Sequence, residues 1–125
     1  MNVPLLFTAS ALAGLTAAAH IFIGGKKNAR PVLTAEGIPN VPRVTVAFAW
    51  HAASVFLISV CLAYLLAALG FVGQPLVIFM TVHCVALTFL SGAIALRGGI
   101  TPFAFPPATL FALISVAGAA GLVAR

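Results

Sequence analysis

Long runs of apolar residues, separated by short stretches rich in glycine, proline and charge, dominate this chain of 125 residues. Four runs hold about 20 residues or more, at about 4–23, 44–69, 75–96 and 106–124. A helix rises 1.5 Å per residue, so about 20 residues cross a hydrocarbon core of ~30 Å. The pattern therefore predicts four transmembrane helices in a single membrane domain, residues 1–125. We expect the others to pack around the second and longest run, which carries Trp50 and His51.

The composition agrees with a membrane location. The chain is 63% hydrophobic and 6% charged, whereas soluble domains are about 45–50% apolar and about 25% charged. A soluble fold of this size cannot hide so much apolar surface, so lipid must solvate much of it. The formal charge of +5 does not indicate nucleic-acid binding, because the cations form no continuous stripe. Cys61 and Cys84 lie inside apolar runs, and we expect two buried thiols rather than a disulfide.

Glycines and prolines mark the connections between the runs. Residues 24–43 hold three prolines, three glycines and the single acidic residue, Glu36, so we predict a loop at the membrane surface. A tight turn at 71–74 links the second and third helices. Gly98 and Gly99 are typical of a helix end, and the prolines at 106 and 107 suit a first helical turn.

The first run also has features of a cleavable signal peptide, because small residues, Ala17 to Ala19, close it. No Lys or Arg precedes the run, and it is longer than the usual apolar region of a signal peptide. We therefore expect a retained helix. Cleavage after Ala19 is the alternative, and it would make His20 an N-terminal residue able to chelate copper through its amine and ring.

The cations predict the orientation. Four of the six fall in the first connection: Lys26, Lys27, Arg30 and Arg43. Arg97 lies on the same side two helices later, and only Arg125 lies opposite. The positive-inside rule then places the first connection and the connection after Arg97 in the cytoplasm. We expect an all-α integral membrane protein, an antiparallel four-transmembrane-helix bundle with both termini on the non-cytoplasmic side.

Three histidines are the only ionisable candidates inside the predicted spans besides the thiols and one tyrosine, since no Asp, Glu, Lys or Arg lies there. His20 lies about one turn from the cytoplasmic end of the first helix, and His51 lies about two turns into the second from the same side, so we expect the two to meet. Ser54 shares the helical face of His51. His83 is displaced by roughly 10 Å along the membrane normal, so it lines another crevice or faces lipid. Trp50 is expected to anchor or pack the second helix.

Two interpretations of these histidines remain open. His20 and His51 can ligate a b-type haem or copper between facing helices. Alternatively, each histidine hydrogen-bonds a backbone carbonyl or a Ser or Thr hydroxyl of a neighbouring helix. The serines have no nucleophile-elbow context and no carboxylate partner, so the sequence does not support hydrolytic catalysis.

Four short pieces of sequence stand out together: Ala19-His20, a histidine in the second helix, Leu90-Ser91-Gly92, and Thr101-Pro102 before a last helix rich in small residues. In these pieces the chain resembles the YgdD-type family of four-helix bacterial inner-membrane proteins, whose biochemical function is unknown. The resemblance implies only this fold and a location in a bacterial inner membrane. This chain lacks the family's glycine pattern before the first histidine and adds Trp50-His51.

Stripes of small residues in the helices suggest close packing within the chain or between copies. We therefore favour a non-enzymatic accessory or assembly subunit of a larger membrane complex, or a homo-oligomer, with the lipid bilayer and membrane proteins as its partners. A membrane redox protein that holds haem or copper is the first alternative. A small-molecule permeation or binding protein is the second.

Overall fold

The computed structural model describes residues 1–124, and this part of the chain is helical with no strand. Four helices are long and apolar enough to cross a membrane: α1 (Val3–Thr34), α2 (Asn40–Ala68), α3 (Gln74–Arg97) and α4 (Pro106–Val123). The prediction of four such helices is confirmed. The bounds of α3 and α4 match the predicted ones within one residue. Arg125, on which part of the predicted orientation rests, lies outside the described residues.

The predicted loop at 24–43 is wrong for most of its length, because α1 continues through it to Thr34. The segment Ala19–Ala29 is π-helical, and one further α-helical turn, Arg30–Thr34, follows it. Two prolines of this stretch lie within helices without ending them. Pro42 lies in the first turn of α2, where a missing N–H costs little. Pro31 lies inside α1, at the point where the π-helical segment gives way to the α-helical turn Arg30–Thr34.

The true connection between α1 and α2 is only residues 35–39. Arg43, in the first turn of α2, donates through Nη2 to the carbonyls of Ala35 at 3.0 Å and Ile38 at 3.2 Å. Gly37 has φ +80°, a conformation that glycine adopts without strain. Arg43 therefore fastens the connection onto the start of α2.

The helices are not arranged around α2. α1 packs along both α2 and α4, and α4 packs along both α1 and α3. α2 and α3 contact each other much less, although a short turn joins them. The expectation that α2 forms the centre is wrong, because small residues let α1 and α4 approach their neighbours closely. Ala9, Ala13 and Ala17 of α1 are buried, as are Gly118 and Gly121 of α4.

Tyr64 is the largest fully buried side chain, and it ties three helices together. Its hydroxyl lies 2.9 Å from Oγ1 of Thr81 in α3. Thr81 donates its one proton to the carbonyl of Val77 at 2.7 Å, so the Tyr64 hydroxyl must be the donor of the other bond. Gly118 of α4 faces this pair, and a Cβ there would overlap the Tyr64 hydroxyl.

Candidate functional site

His20 of α1 packs on Trp50 of α2. The two rings are stacked, with centroids 4.0 Å apart and planes inclined by 17°. Nε2 of His20 lies 3.2 Å from the Trp50 carbonyl, and Ser54 donates to the same carbonyl at 3.1 Å. The six-membered ring of the indole approaches Gly24, where a Cβ would lie 3.0 Å from Trp50 Cη2. Trp50 is therefore held by α1 at two positions one helical turn apart.

The predicted meeting of His20 with His51 is wrong. His51 is exposed on the surface of α2, and His20 uses its Nε2 on the Trp50 carbonyl. Successive helical residues point about 100° apart, so turning the Trp50 ring toward α1 turns His51 away. The pair His20–His51 therefore does not fit a haem or copper site. The alternative interpretation, a hydrogen bond from a histidine to a carbonyl of a neighbouring helix, is confirmed for His20.

His83 of α3 is half-buried and does not simply face lipid. Its Nδ1 lies 2.9 Å from the carbonyl of Phe79, one turn earlier in the same helix. Its ring centroid lies 4.2 Å from that of Phe79 and 6.3 Å from that of Phe56 on α2. His83 is thus turned toward the space between α2 and α3.

That space is a cleft of about 520 Å³ to which all four helices contribute. It exists because α2 and α3 pack together only sparsely. His20 and His83 are its two polar lining residues. The others have hydrocarbon side chains: Ala52, Ala53, Phe56, Leu57, Ala86, Leu87, Pro107 and Phe111. His20 and His83 therefore line the same cleft, which the sequence did not predict.

The position of His20 coincides with a change in helix type. It is the second residue of the π-helical segment Ala19–Ala29, in which hydrogen bonds span five residues and the helix is wider. This segment carries both contacts of α1 with Trp50.

A second cleft, of about 760 Å³, lies between α3 and α4 but offers little chemistry. Its two hydroxyl groups, of Thr88 and Thr109, already donate to carbonyls of their own helices at 2.8 and 3.1 Å. The rest of its lining is apolar, with Phe89, Phe103 and Leu113 among the exposed members. It has no side chain with a ring nitrogen or a charge, so we regard the 520 Å³ cleft as the candidate site.

Comparison with protein-family models, curated proteins and solved structures finds no match to this chain. The resemblance to the YgdD-type family therefore stays an expectation.

Metal ligation by side chains alone finds no support in the part of the chain that the structure describes. Within residues 1–124, no three His, Cys, Asp or Glu side chains form a group able to hold a metal ion. Cys84 is buried and Cys61 half-buried, both as free thiols. Cys61 packs instead against Ser10, whose hydroxyl donates to the Cys61 carbonyl at 3.0 Å.

The predicted basic loop is a helix end with a different distribution of charge. Lys26, Lys27 and Arg30 are exposed on the last turns of α1, while Arg43 is half-buried in its contacts with the 35–39 connection. Arg97 is exposed in the last turn of α3. These residues remain available to anionic lipid headgroups, except Arg43, whose guanidinium is already bonded.

Sequence reasoning missed the aromatic and proline walls of the cleft, Phe56, Pro107 and Phe111. Apolar residues face lipid and protein alike in a membrane span, so their pattern gives no sign of a cleft. The sequence did single out the two histidines of the cleft, His20 and His83, as polar side chains in a span that need a polar or open environment.

Proposed function

We propose that this protein is a multi-pass membrane protein that binds a small apolar molecule in the cleft between α2 and α3. The observation that supports this proposal is the 520 Å³ cleft itself, with apolar walls and two imidazoles. Small-molecule sites have volumes of about 300–1,000 Å³, mostly apolar linings and a few polar groups that orient the ligand. Nothing in the cleft resembles a nucleophile with a paired base, so binding without catalysis is the function proposed.

The proposal includes an arrangement in the membrane: an antiparallel four-helix bundle of a bacterial inner membrane. The α1–α2 and α3–α4 connections lie in the cytoplasm, and both termini lie outside. It is supported by the exposed cations at the end of α1 and at Arg97, because cytoplasmic connections carry an excess of Lys and Arg. Fusion of a periplasm-active reporter to the C terminus is expected to give activity. Activity of a cytoplasm-active reporter at that position would contradict the orientation.

Function as an accessory subunit or a homo-oligomer stays a prediction. The small residues that suggested intermolecular packing are largely used inside the chain. Ser10, Ala13 and Ala17 of α1 are buried, as are Ser115 and Gly118 of α4. They therefore explain how the four helices pack and do not favour a second copy.

A blocked cleft tests the proposed function directly. Ala86 lines the cleft but has an exposed side chain, so Ala86→Phe fills it without overpacking the core. Ala119, exposed on α4 and outside both clefts, provides the matched control Ala119→Phe. The proteins are purified from native membranes, and the molecules that co-purify are identified by mass spectrometry. A molecule present with the wild type and Ala119→Phe, but lost from Ala86→Phe, supports binding in the cleft. Identical profiles from all three proteins would contradict it.

A further inference from the structure

The two histidines of the cleft have defined hydrogen-bonding roles, because each bonds a backbone carbonyl. A carbonyl oxygen only accepts hydrogen bonds, and a neutral imidazole has one N–H and one acceptor nitrogen. Nε2 of His20, bonded to the Trp50 carbonyl, must carry its proton. Nδ1 of His83, bonded to the Phe79 carbonyl, must carry its proton as well. Nδ1 of His20 and Nε2 of His83 are then both acceptors.

These two acceptor nitrogens are open to their surroundings. Neither has a hydrogen-bond partner among residues 1–124. Every buried side-chain nitrogen or oxygen in this part of the chain does have a partner. The two nitrogens are therefore not buried, and both residues line the cleft.

The lining of the cleft has no free hydrogen-bond donor beside these two acceptor nitrogens. The remaining lining residues are alanine, leucine, phenylalanine and proline. A ligand whose polar groups only accept hydrogen bonds, such as a ketone, ether or quinone, finds no partner there. A ligand with O–H groups finds two acceptors, and an aromatic body suits the rings of Phe56 and Phe111.

We propose that the cleft selects a membrane-soluble aromatic diol of the hydroquinone type, whose hydroxyls donate to His20 Nδ1 and His83 Nε2. This inference rests on the proposed function and adds the chemical class of the ligand. The binding is non-covalent, and it requires both rings in the neutral form. The selectivity comes from the direction of the hydrogen bonds, so it distinguishes the diol from molecules of the same shape without O–H groups.

The probes are a long-chain alkyl hydroquinone and its dimethyl ether, which share one apolar body and differ in their donors. Each is added anaerobically to the detergent-purified full chain, and bound probe is measured by equilibrium dialysis. The diol is expected to bind more tightly than the ether by roughly two- to tenfold for each hydrogen bond. His83→Phe keeps a ring in place but removes an acceptor, and it should reduce this preference by one such factor. His83→Gln restores an acceptor oxygen and should recover part of it.

His51→Leu is the matched control, since it removes an exposed imidazole outside the cleft. It should leave the preference unchanged. Gel filtration of each variant verifies that the protein remains folded and monodisperse. Equal binding of diol and ether to the wild type, lost in Ala86→Phe, would overturn the donor selectivity and leave the proposed function standing. Binding of neither probe would overturn the ligand class, and co-purification with the Ala86→Phe comparison would then decide the proposed function separately.

Discussion

Replacing Gly118 by alanine introduces one methyl group where Tyr64, Thr81 and α4 meet. The new Cβ would lie 2.7 Å from Thr81 Oγ1 and 2.9 Å from Tyr64 Cζ, and it would overlap the Tyr64 hydroxyl. Contacts below 3 Å require something to move, and Tyr64 is fully buried. The tyrosine ring or α4 must shift, so the Tyr64–Thr81 hydrogen bond is expected to break.

The expected cost is about 1–4 kcal/mol of unfolding free energy. Overpacking a well-filled core costs roughly 1–3 kcal/mol. A side-chain hydrogen bond between membrane helices contributes about 0.6 kcal/mol on average and up to about 1.7 kcal/mol. The gain in helix propensity from glycine to alanine, about 1 kcal/mol, offsets part of the sum. Gly92→Ala is the matched control, because its Cβ would meet only Pro102 at 3.9 Å, an ordinary contact.

Unfolding free energies of both variants are measured in detergent or bicelles by steric trapping, together with Tyr64→Phe and the double variant. Tyr64→Phe removes the hydroxyl that the new methyl would strike and leaves Thr81 bonded to Val77. The double variant should therefore lose less stability than the sum of the two single variants. Gly118→Ala as stable as Gly92→Ala, or strict additivity in the double variant, would refute the packing described for this core.

Three further outcomes are expected. Gly24→Ala should shift the fluorescence of the single tryptophan, Trp50, because its Cβ would lie 3.0–3.3 Å from the indole. Gly25→Ala is the control, since nothing lies within 4 Å of its Cβ. Equal spectra of the two variants would contradict the packing of Trp50 on Gly24. Arg43→Ala should speed proteolysis of the 35–39 connection, since two hydrogen bonds to its carbonyls disappear; unchanged proteolysis would show that the connection is ordered without them. His51→Leu should change unfolding free energy by less than about 0.5 kcal/mol, and a larger loss would place His51 in a contact.

The number of helices followed from the sequence because a membrane fixes the length of an apolar run. The end of α1 was predicted wrongly, because a count of prolines and glycines ignores their position in a helix. Pro42 lies in a first turn, where proline is tolerated, and Pro31 lies where α1 changes from π-helical to α-helical. Gly24 is needed for a different reason, since its missing Cβ admits the ring of Trp50. A loop and a helix that accommodates a neighbouring indole show the same composition.

The candidate site was predicted only in part, because apolar residues in a span face lipid and protein alike. His20 and Trp50 were singled out, but the choice between Trp50 and His51 as the inward residue depends on the rotation of α2. Hydrophobic patterning sets that rotation in a soluble protein, where one face meets water. In α2 the exposed Val55 and Ile58 are as apolar as the buried Leu57 and Val60. Only packing partners set its rotation.

Because lipid and the protein interior are both apolar, apolar walls alone cannot make a cleft selective for a ligand. Lipid chains are as apolar as leucine side chains, so there is no hydrophobic drive to close a cleft or to fill it with one apolar molecule over another. Volume alone therefore gives no specificity for a ligand. The larger cleft between α3 and α4 has no ring nitrogen or charged group that could add it. In the smaller cleft, the carbonyls of Trp50 and Phe79 set the proton positions of His20 and His83. An acceptor nitrogen in an apolar cleft favours a donor over its methyl ether by roughly two- to tenfold for each hydrogen bond, because a mismatched polar group stays unpaired. If the cleft binds a ligand as we propose, its selectivity resides in these two ring nitrogens, and substituting His20 or His83 should affect ligand choice more than any change of the apolar walls.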